Sequence, residues 1–82
     1  MVFLALTRSG LDELIALRKT SDTAIWCGSN VLSEAEYAAL SGVNISRFTY
    51  PLESRDDEAF QCALETIVDH HSDEKIWIES TN

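Results

Sequence analysis

The chain has 82 residues, of which 45% are hydrophobic, and fourteen acidic residues against six basic ones give it a formal net charge of −8. This length predicts a single domain over residues 1–82, and the apolar content excludes a disordered chain. A chain this acidic is repelled by phosphate backbones and has no apolar stretch of about 18–20 residues, so we expect neither direct nucleic-acid binding nor a membrane partner.

Two strands and a helix are predicted in the first third of the chain. Residues 2–6 form a continuous apolar run, which is typical of a strand covered on both faces. Residues 10–19 repeat apolar side chains at helical spacing, and Ser9, three residues before Asp12, is the expected N-cap. A second apolar run predicts a strand over residues 23–27 that ends at a turn.

The middle of the chain predicts a short helix followed by a strand at a sheet edge. Ser33 and Glu36 have the spacing of a capping box, which starts a helix over residues 34–40. A third strand is predicted over residues 43–50. Apolar and polar residues alternate in its first half, which leaves one face partly wet and is typical of an edge strand.

The last third predicts the longest helix and a final strand. Residues 56–71 carry the most regular helical stripe of apolar side chains, and their first three residues are acidic, as the helix dipole favours. In the strand predicted over residues 75–79, isoleucines alternate with Trp77, so we expect both faces of this strand to be covered.

The order of these elements, βαβαβαβ with short loops, predicts the fold class. It is typical of an α/β domain with a mostly parallel four-stranded sheet and right-handed crossovers. Three helices must then cover the two faces of the sheet, two on one side and one on the other.

The acidic residues are concentrated in the last third of the chain. Residues 1–52 hold five acidic and four basic residues, whereas residues 53–82 hold nine acidic and two basic ones. Helical spacing places Glu58, Glu65 and Asp69 on one outer stripe of the third helix. Like charges at such spacings slightly destabilise a helix, so selection for stability alone does not explain them.

This acidic helix has two interpretations, a surface that keeps the protein soluble or a docking face for a basic protein. Our leading hypothesis is the second: a small interaction or regulatory protein that binds a basic partner through Asp57, Glu58, Glu65 and Asp69. A special case is an inhibitor that occupies the nucleic-acid-binding groove of its partner.

The loops after the strands suggest an alternative function. In parallel sheets, ligands bind outside the carboxyl ends of the strands, where helix N-termini also point. The loop residues that could hold phosphate or another small ligand, or support catalysis, are Arg8, Ser9, Gly10, Gly28, Ser29, Asn30, Ser54 and Arg55. No nucleotide-binding fingerprint is present, and caps and turns explain the same residue types.

The predicted edge strand offers a third alternative. An open edge could pair with its own copy, which would make the protein a homodimer or a larger homo-oligomer.

The cysteines and histidines predict no metal or catalytic site. Cys27 should be buried, with its thiol pKa raised by the acidic start of the second helix, and Cys62 should be exposed. His71 falls on the apolar face of the third helix and His70 falls off it, so the two cannot easily share a metal ion. We therefore expect no metal, no cofactor and no catalytic residues, and binding rather than catalysis.

The amino-terminal residues and the cysteine usage predict a cytoplasmic protein. Residues 1–6 lack the basic start of a secretory signal, and Thr7 and Arg8 cut the apolar run short. The two cysteines are far apart in sequence and are expected to stay reduced.

Overall fold

Four short strands alternate with three helices in the computed structural model, which describes residues 1–18, 22–40, 44–53 and 56–80. In chain order the elements are β1 Val2–Ala5, α1 Arg8–Leu17, β2 Ala24–Cys27, α2 Glu34–Ala39, β3 Ile45–Arg47, α3 Glu58–His70 and β4 Ile76–Ile78.

The strands form one parallel sheet in the order β3-β2-β1-β4. Phe3 of β1 therefore has Ile25 of β2 on one side and Trp77 of β4 on the other. The predicted α/β class with a four-stranded parallel sheet is confirmed, and so is the edge position of β3. The opposite edge is β4.

Strand order dictates which face each helix covers. The chain moves one way along the sheet from β1 to β3 and then crosses back past β2 and β1 to reach β4. Because both directions use right-handed crossovers, α3 must lie on the opposite face from α1 and α2. An ion pair between Arg8 of α1 and Glu36 of α2, at 2.5 Å, joins the two helices on their shared side.

Each face of the sheet has its own apolar core. On the α3 side, alternate residues of the strands pack against three buried residues of the helix, Phe60, Ala63 and Ile67. On the α1 side, the other residues of the strands pack against Leu11 together with Val31 and Leu32. A fully buried aliphatic side chain contributes about 2 kcal/mol, so these cores supply the main stabilisation of the domain.

The start of α1 differs from the sequence prediction. Its N-cap is Thr7, which has an extended backbone and accepts the N–H of Gly10, and not Ser9. A hydroxyl side chain does cap the helix three residues ahead, as the spacing predicts. However, β1 ends at Ala5, and the helix begins at Arg8, two residues earlier than predicted. The helix also ends earlier, because Arg18 is already extended; the predicted end at Lys19 lies outside the described residues.

The predicted capping box at the start of α2 is confirmed. Ser33 accepts the N–H of Glu36 at 3.1 Å, and the Glu36 carboxylate accepts the N–H of Ser33 at 3.0 Å. None of the six residues of α2 is buried, so this helix is peripheral and depends on its caps.

The third strand and the third helix are shortened most relative to the prediction, whereas β1, β2, α2 and β4 are one or two residues shorter than predicted. The third strand occupies only Ile45–Arg47 of the predicted 43–50, with residue 43 outside the described part of the chain. The third helix begins at Glu58 and not at residue 56, because Asp57 is its extended N-cap residue.

The prediction that both faces of β4 are covered is wrong. Ile76 and Ile78 pack on the α3-side core, but Trp77 is 52% exposed. Alternation along the strand shows that its two faces differ. It cannot show that β4 lies at the sheet edge, where no helix of the described residues covers the face that carries Trp77.

Candidate functional site

The outer face of α3 is an acidic stripe, formed by Glu58, Cys62, Glu65 and Asp69. Each step along the stripe is three or four residues, which places the four side chains within about 60° around the helix axis. All four residues are exposed, opposite the buried Phe60. From Glu58 to Asp69 the stripe spans about 16 Å along the axis.

The carboxylates of this stripe face solvent with little compensation. In the described parts of the chain, no ion pair joins Glu58, Glu65 or Asp69 to a cation. Asp57, at the start of the helix, is exposed and its side chain makes no cap hydrogen bond. The arrangement therefore offers a row of carboxylates that a cationic surface can contact without breaking any ion pair among the described residues.

An apolar side chain lies beside the acidic stripe. Val68 is 50% exposed. At 100° per residue it lies about 60° around the helix axis from Glu65 and about 100° from Asp69. Interfaces need an apolar contact as well as charges, because exposed ion pairs alone contribute little free energy. Helical spacing counts Val68 in the apolar stripe of this helix and so predicts that it faces the core, which its exposure shows to be wrong.

At the alternative ligand site, the loop that follows β1 is held in place by the carboxylate of Glu79. The backbone N–H groups of Leu6 and Thr7 donate to Glu79 Oε1 at 2.7 and 2.8 Å, and the Thr7 hydroxyl donates to Oε2 at 2.5 Å. This lies between the carboxyl ends of β1 and β4, where the strand order reverses and where a ligand would bind in such a sheet.

Gly10 is part of the same arrangement. A Cβ at Gly10 would overlap the Glu79 carboxylate, so the glycine makes room for it at the start of α1. Neighbouring Arg8, the cation expected at this edge, pairs with Asp12 at 3.1 Å and with Glu36. No local sequence pattern indicates the contact between Gly10 and Glu79, because the two residues are far apart in the chain.

The loop after β2 is also tied to its neighbours. Asn30 donates to the Leu6 carbonyl at 3.4 Å and accepts the N–H of Leu52 at 3.0 Å, and Ser29 donates its N–H to the Tyr50 carbonyl. A Cβ at Gly28 would lie 2.7 Å from the backbone nitrogen of Leu52, so glycine permits this close approach. Ser54 and Arg55 lie outside the described residues.

The two cysteines occupy the environments predicted for them. Cys27 is fully buried, and burial raises the pKa of its thiol to about 11 against the opposing influence of Arg47 and Arg8. The cause is therefore desolvation and not the acidic start of α2. Cys62 is exposed on the acidic stripe, and both thiols are free.

His71 is part of a hydrogen-bonded chain at the end of α3. The Trp26 indole donates to His71 Nε2 at 3.2 Å, and His71 Nδ1 lies 2.7 Å from Glu74 Oε2. The Met1 amino group and then His71 lower the pKa of the Glu74 carboxyl. The prediction that His71 lies on the core side and His70 is more exposed is confirmed.

Comparison with protein-family models, with curated proteins and with solved structures finds no match. Within the described ranges, none of the helices combines the length and the apolar character needed to cross a membrane.

Proposed function

We propose that this protein binds a basic protein partner through the acidic stripe of α3. The observation that carries the proposal is the row of exposed carboxylates at Glu58, Glu65 and Asp69, for which no ion pair is found within the described residues. The helix dipole favours Glu58 in the first turn, but Glu65 and Asp69 lie beyond it and their like charges do not stabilise the helix. Complementary charge accelerates association and selects among partners.

The neighbouring side chains favour binding over solubility alone. Asp57 extends the acidic stripe at its amino end, and Val68 adds an exposed apolar contact at its side. A partner that covers this face would desolvate Val68 while its lysines or arginines meet the carboxylates. We rank small-ligand binding at the strand-end loops second, because an anion there would have to displace the Glu79 carboxylate.

Charge reversal tests the proposal directly. The triple variant Glu58→Lys, Glu65→Lys, Asp69→Lys should lose a partner that is captured from a lysate of the expressing cells at low salt and released at high salt. The lost charge complementarity should cost at least tenfold in affinity for the purified partner, measured by titration calorimetry.

The matched control carries the same change in net charge at positions outside α3. Asp12→Lys, Asp22→Lys, Glu34→Lys alters exposed carboxylates, breaks only the exposed ion pair of Asp12 with Arg8 among the ion pairs described, and should retain most of the binding. Circular dichroism must show both triple variants folded. Loss of the partner in the control alone, or equal retention in both, would contradict the proposal.

A further inference from the structure

An open apolar groove lies beside α1 on the face of the sheet opposite α3. It is about 350 Å³ in volume, and its apolar walls come from Phe3, Leu14, Leu17 and Trp77. Leu17 is 76% exposed and Trp77 is 52% exposed. These are large side chains of the types that a folded domain usually buries or uses for contact with a partner.

The groove continues past Trp77 toward the amino end of β4. A second concavity of about 330 Å³ is also lined by Trp77, together with Met1 and Lys75, and Met1 is 56% exposed. The indole is thus a wall shared by both cavities. We treat the two cavities as one surface along the edge strand, with apolar walls and a charged rim, and name it the Trp77 groove.

The dimensions of the sheet indicate what shape would fill the Trp77 groove. Strands lie about 4.8 Å apart and packed helices about 10 Å apart, so one helix covers about two strands. On this face α1 contacts β1 and β2, and α2 belongs to the connection to β3 at the far edge. The position over β4, next to α1, lacks a helix among the described residues.

The charges around the Trp77 groove indicate the chemistry of the occupant. Carboxylates line both of its parts, Glu13 and Glu79 in the first and Asp73 and Glu74 in the second. The cations of the described lining are Lys75 and the Met1 amino group, which pairs with Glu74 at 2.6 Å. Because Glu74 and Glu79 already have partners within the chain, Glu13 and Asp73 are the carboxylates that a basic partner would meet. A second copy of this chain would bring a net charge of −8 to an acidic rim and be repelled.

We propose that the Trp77 groove accepts a basic amphipathic helix of a partner protein. The helix completes the layer beside α1, its apolar side chains pack on Trp77 and Leu17, and its lysines or arginines face Glu13 and Asp73. Tryptophan at the centre of a contact is typical of residues that carry much of the binding energy. This surface is separate from the acidic stripe, and the inference does not rest on the function proposed above.

Peptides of known chemistry test the proposal with the whole chain. The ligand is an amphipathic Leu/Lys helix of roughly 18 residues, about 27 Å long. One control peptide keeps the leucines and replaces lysine by glutamate, and another keeps the lysines and replaces leucine by serine. Binding is followed in ¹H–¹⁵N spectra, in which the only two tryptophans, Trp26 and Trp77, give separate indole signals.

The Leu/Lys peptide should shift the Trp77 indole signal and the amides of Leu14 and Leu17, and leave the Trp26 indole signal in place. Trp77→Thr should weaken binding about tenfold, and Leu17→Ala should weaken it as well. The unchanged Trp26 signal, from an indole bonded to His71, reports that each variant is folded.

Four results would overturn the proposal. The first is a set of peptide-induced shifts that map to residues 58–69, which would favour the acidic stripe. The second is binding of the Leu/Glu or the Ser/Lys peptide as tight as that of the Leu/Lys peptide, and the third is an affinity for the Leu/Lys peptide that neither variant changes. The fourth is self-association, seen by sedimentation, that shifts the Trp77 signal without peptide. The last result would make a second copy the occupant.

Discussion

At the scale of single residues, the carboxylate of Glu79 connects the end of the last strand to the start of the first helix. It accepts two backbone N–H groups and the Thr7 hydroxyl, and Gly10 leaves the space that it occupies. Hydrogen bonds to a charged group contribute more than neutral ones, so this contact should be visible in the free energy of unfolding.

A double-mutant cycle tests the contact between Gly10 and Glu79. Glu79→Ala should lower the free energy of unfolding by about 2 kcal/mol, and Gly10→Ala should cost a similar amount because its Cβ expels the carboxylate. In the Glu79→Ala background, Gly10→Ala should be neutral or stabilising, since alanine is the better helix former. Urea unfolding measures all four proteins.

Gly28 supplies the control for this cycle. A Cβ at Gly28 meets the backbone nitrogen of Leu52 and not Glu79. Gly28→Ala should therefore destabilise the parent and the Glu79→Ala variant equally. Additive effects of Gly10→Ala and Glu79→Ala would show that the two residues do not interact.

The two cysteines should differ sharply in reactivity. Because burial raises the pKa of Cys27 to about 11, its thiolate is scarce at neutral pH and inaccessible, whereas Cys62 is exposed. A maleimide at pH 7 should modify Cys62 and leave Cys27 intact until urea unfolds the chain, as peptide mass spectrometry would show. Equal labelling of both in the folded protein would contradict the placement of β2 in the core.

At the scale of elements, α2 depends on its caps because none of its residues is buried. Ser33→Ala removes the capping hydrogen bond and should cost about 1 kcal/mol. The loss should appear as roughly fivefold lower protection of the α2 amides from hydrogen exchange, with the α3 amides unchanged. Unchanged exchange in α2 would show that packing and not the cap holds this helix.

The capping box also predicts a response to pH. The Ser33 backbone hydrogen bond and then Arg8 lower the pKa of Glu36 in the folded chain. Its contribution to folding is therefore complete above the unfolded pKa of about 4.3 and is lost as the pH falls through the lowered folded value. The Ser33 amide signal should titrate with a midpoint below about 4.3.

Arg8→Gln is the informative variant for this titration. It removes the Arg8 guanidinium, one of the two residues that lower the pKa of Glu36, and leaves the hydrogen bonds with Ser33. The midpoint of the Ser33 amide titration should therefore move upward. A midpoint at or above about 4.3 in the parent would mean that the capping bonds are not formed in solution.

The helices were predicted better than the strand environments, for physical reasons. The acidic stripe on α3 and the capping box at Ser33 are local patterns, which can be recognised in one short stretch of sequence. Whether Trp77 is covered depends on which strand lies at the edge, and strand order is a property of the whole sheet. The Glu79 contact joins residues from opposite ends of the chain, so no local pattern could predict it.

At the scale of the whole molecule, the sheet separates two surfaces of different character. The acidic stripe of α3 lies on one side and the Trp77 groove on the other, and each has exposed carboxylates. The net charge of −8 favours basic partners at either surface. The sequence predicted the first surface from charge and helical spacing, and the second required the strand order.

The most direct measurement of the proposed function uses Cys62, which lies within the acidic stripe and is the exposed cysteine of the chain. A photo-crosslinker attached to Cys62 should capture a basic protein in lysate at low salt. High salt, or the triple variant Glu58→Lys, Glu65→Lys, Asp69→Lys, should abolish the adduct. The same crosslinker at Ala38→Cys on α2, with Cys62→Ser, should not capture that protein. An adduct that persists at high salt and in the triple variant, or no specific adduct at all, would contradict the account.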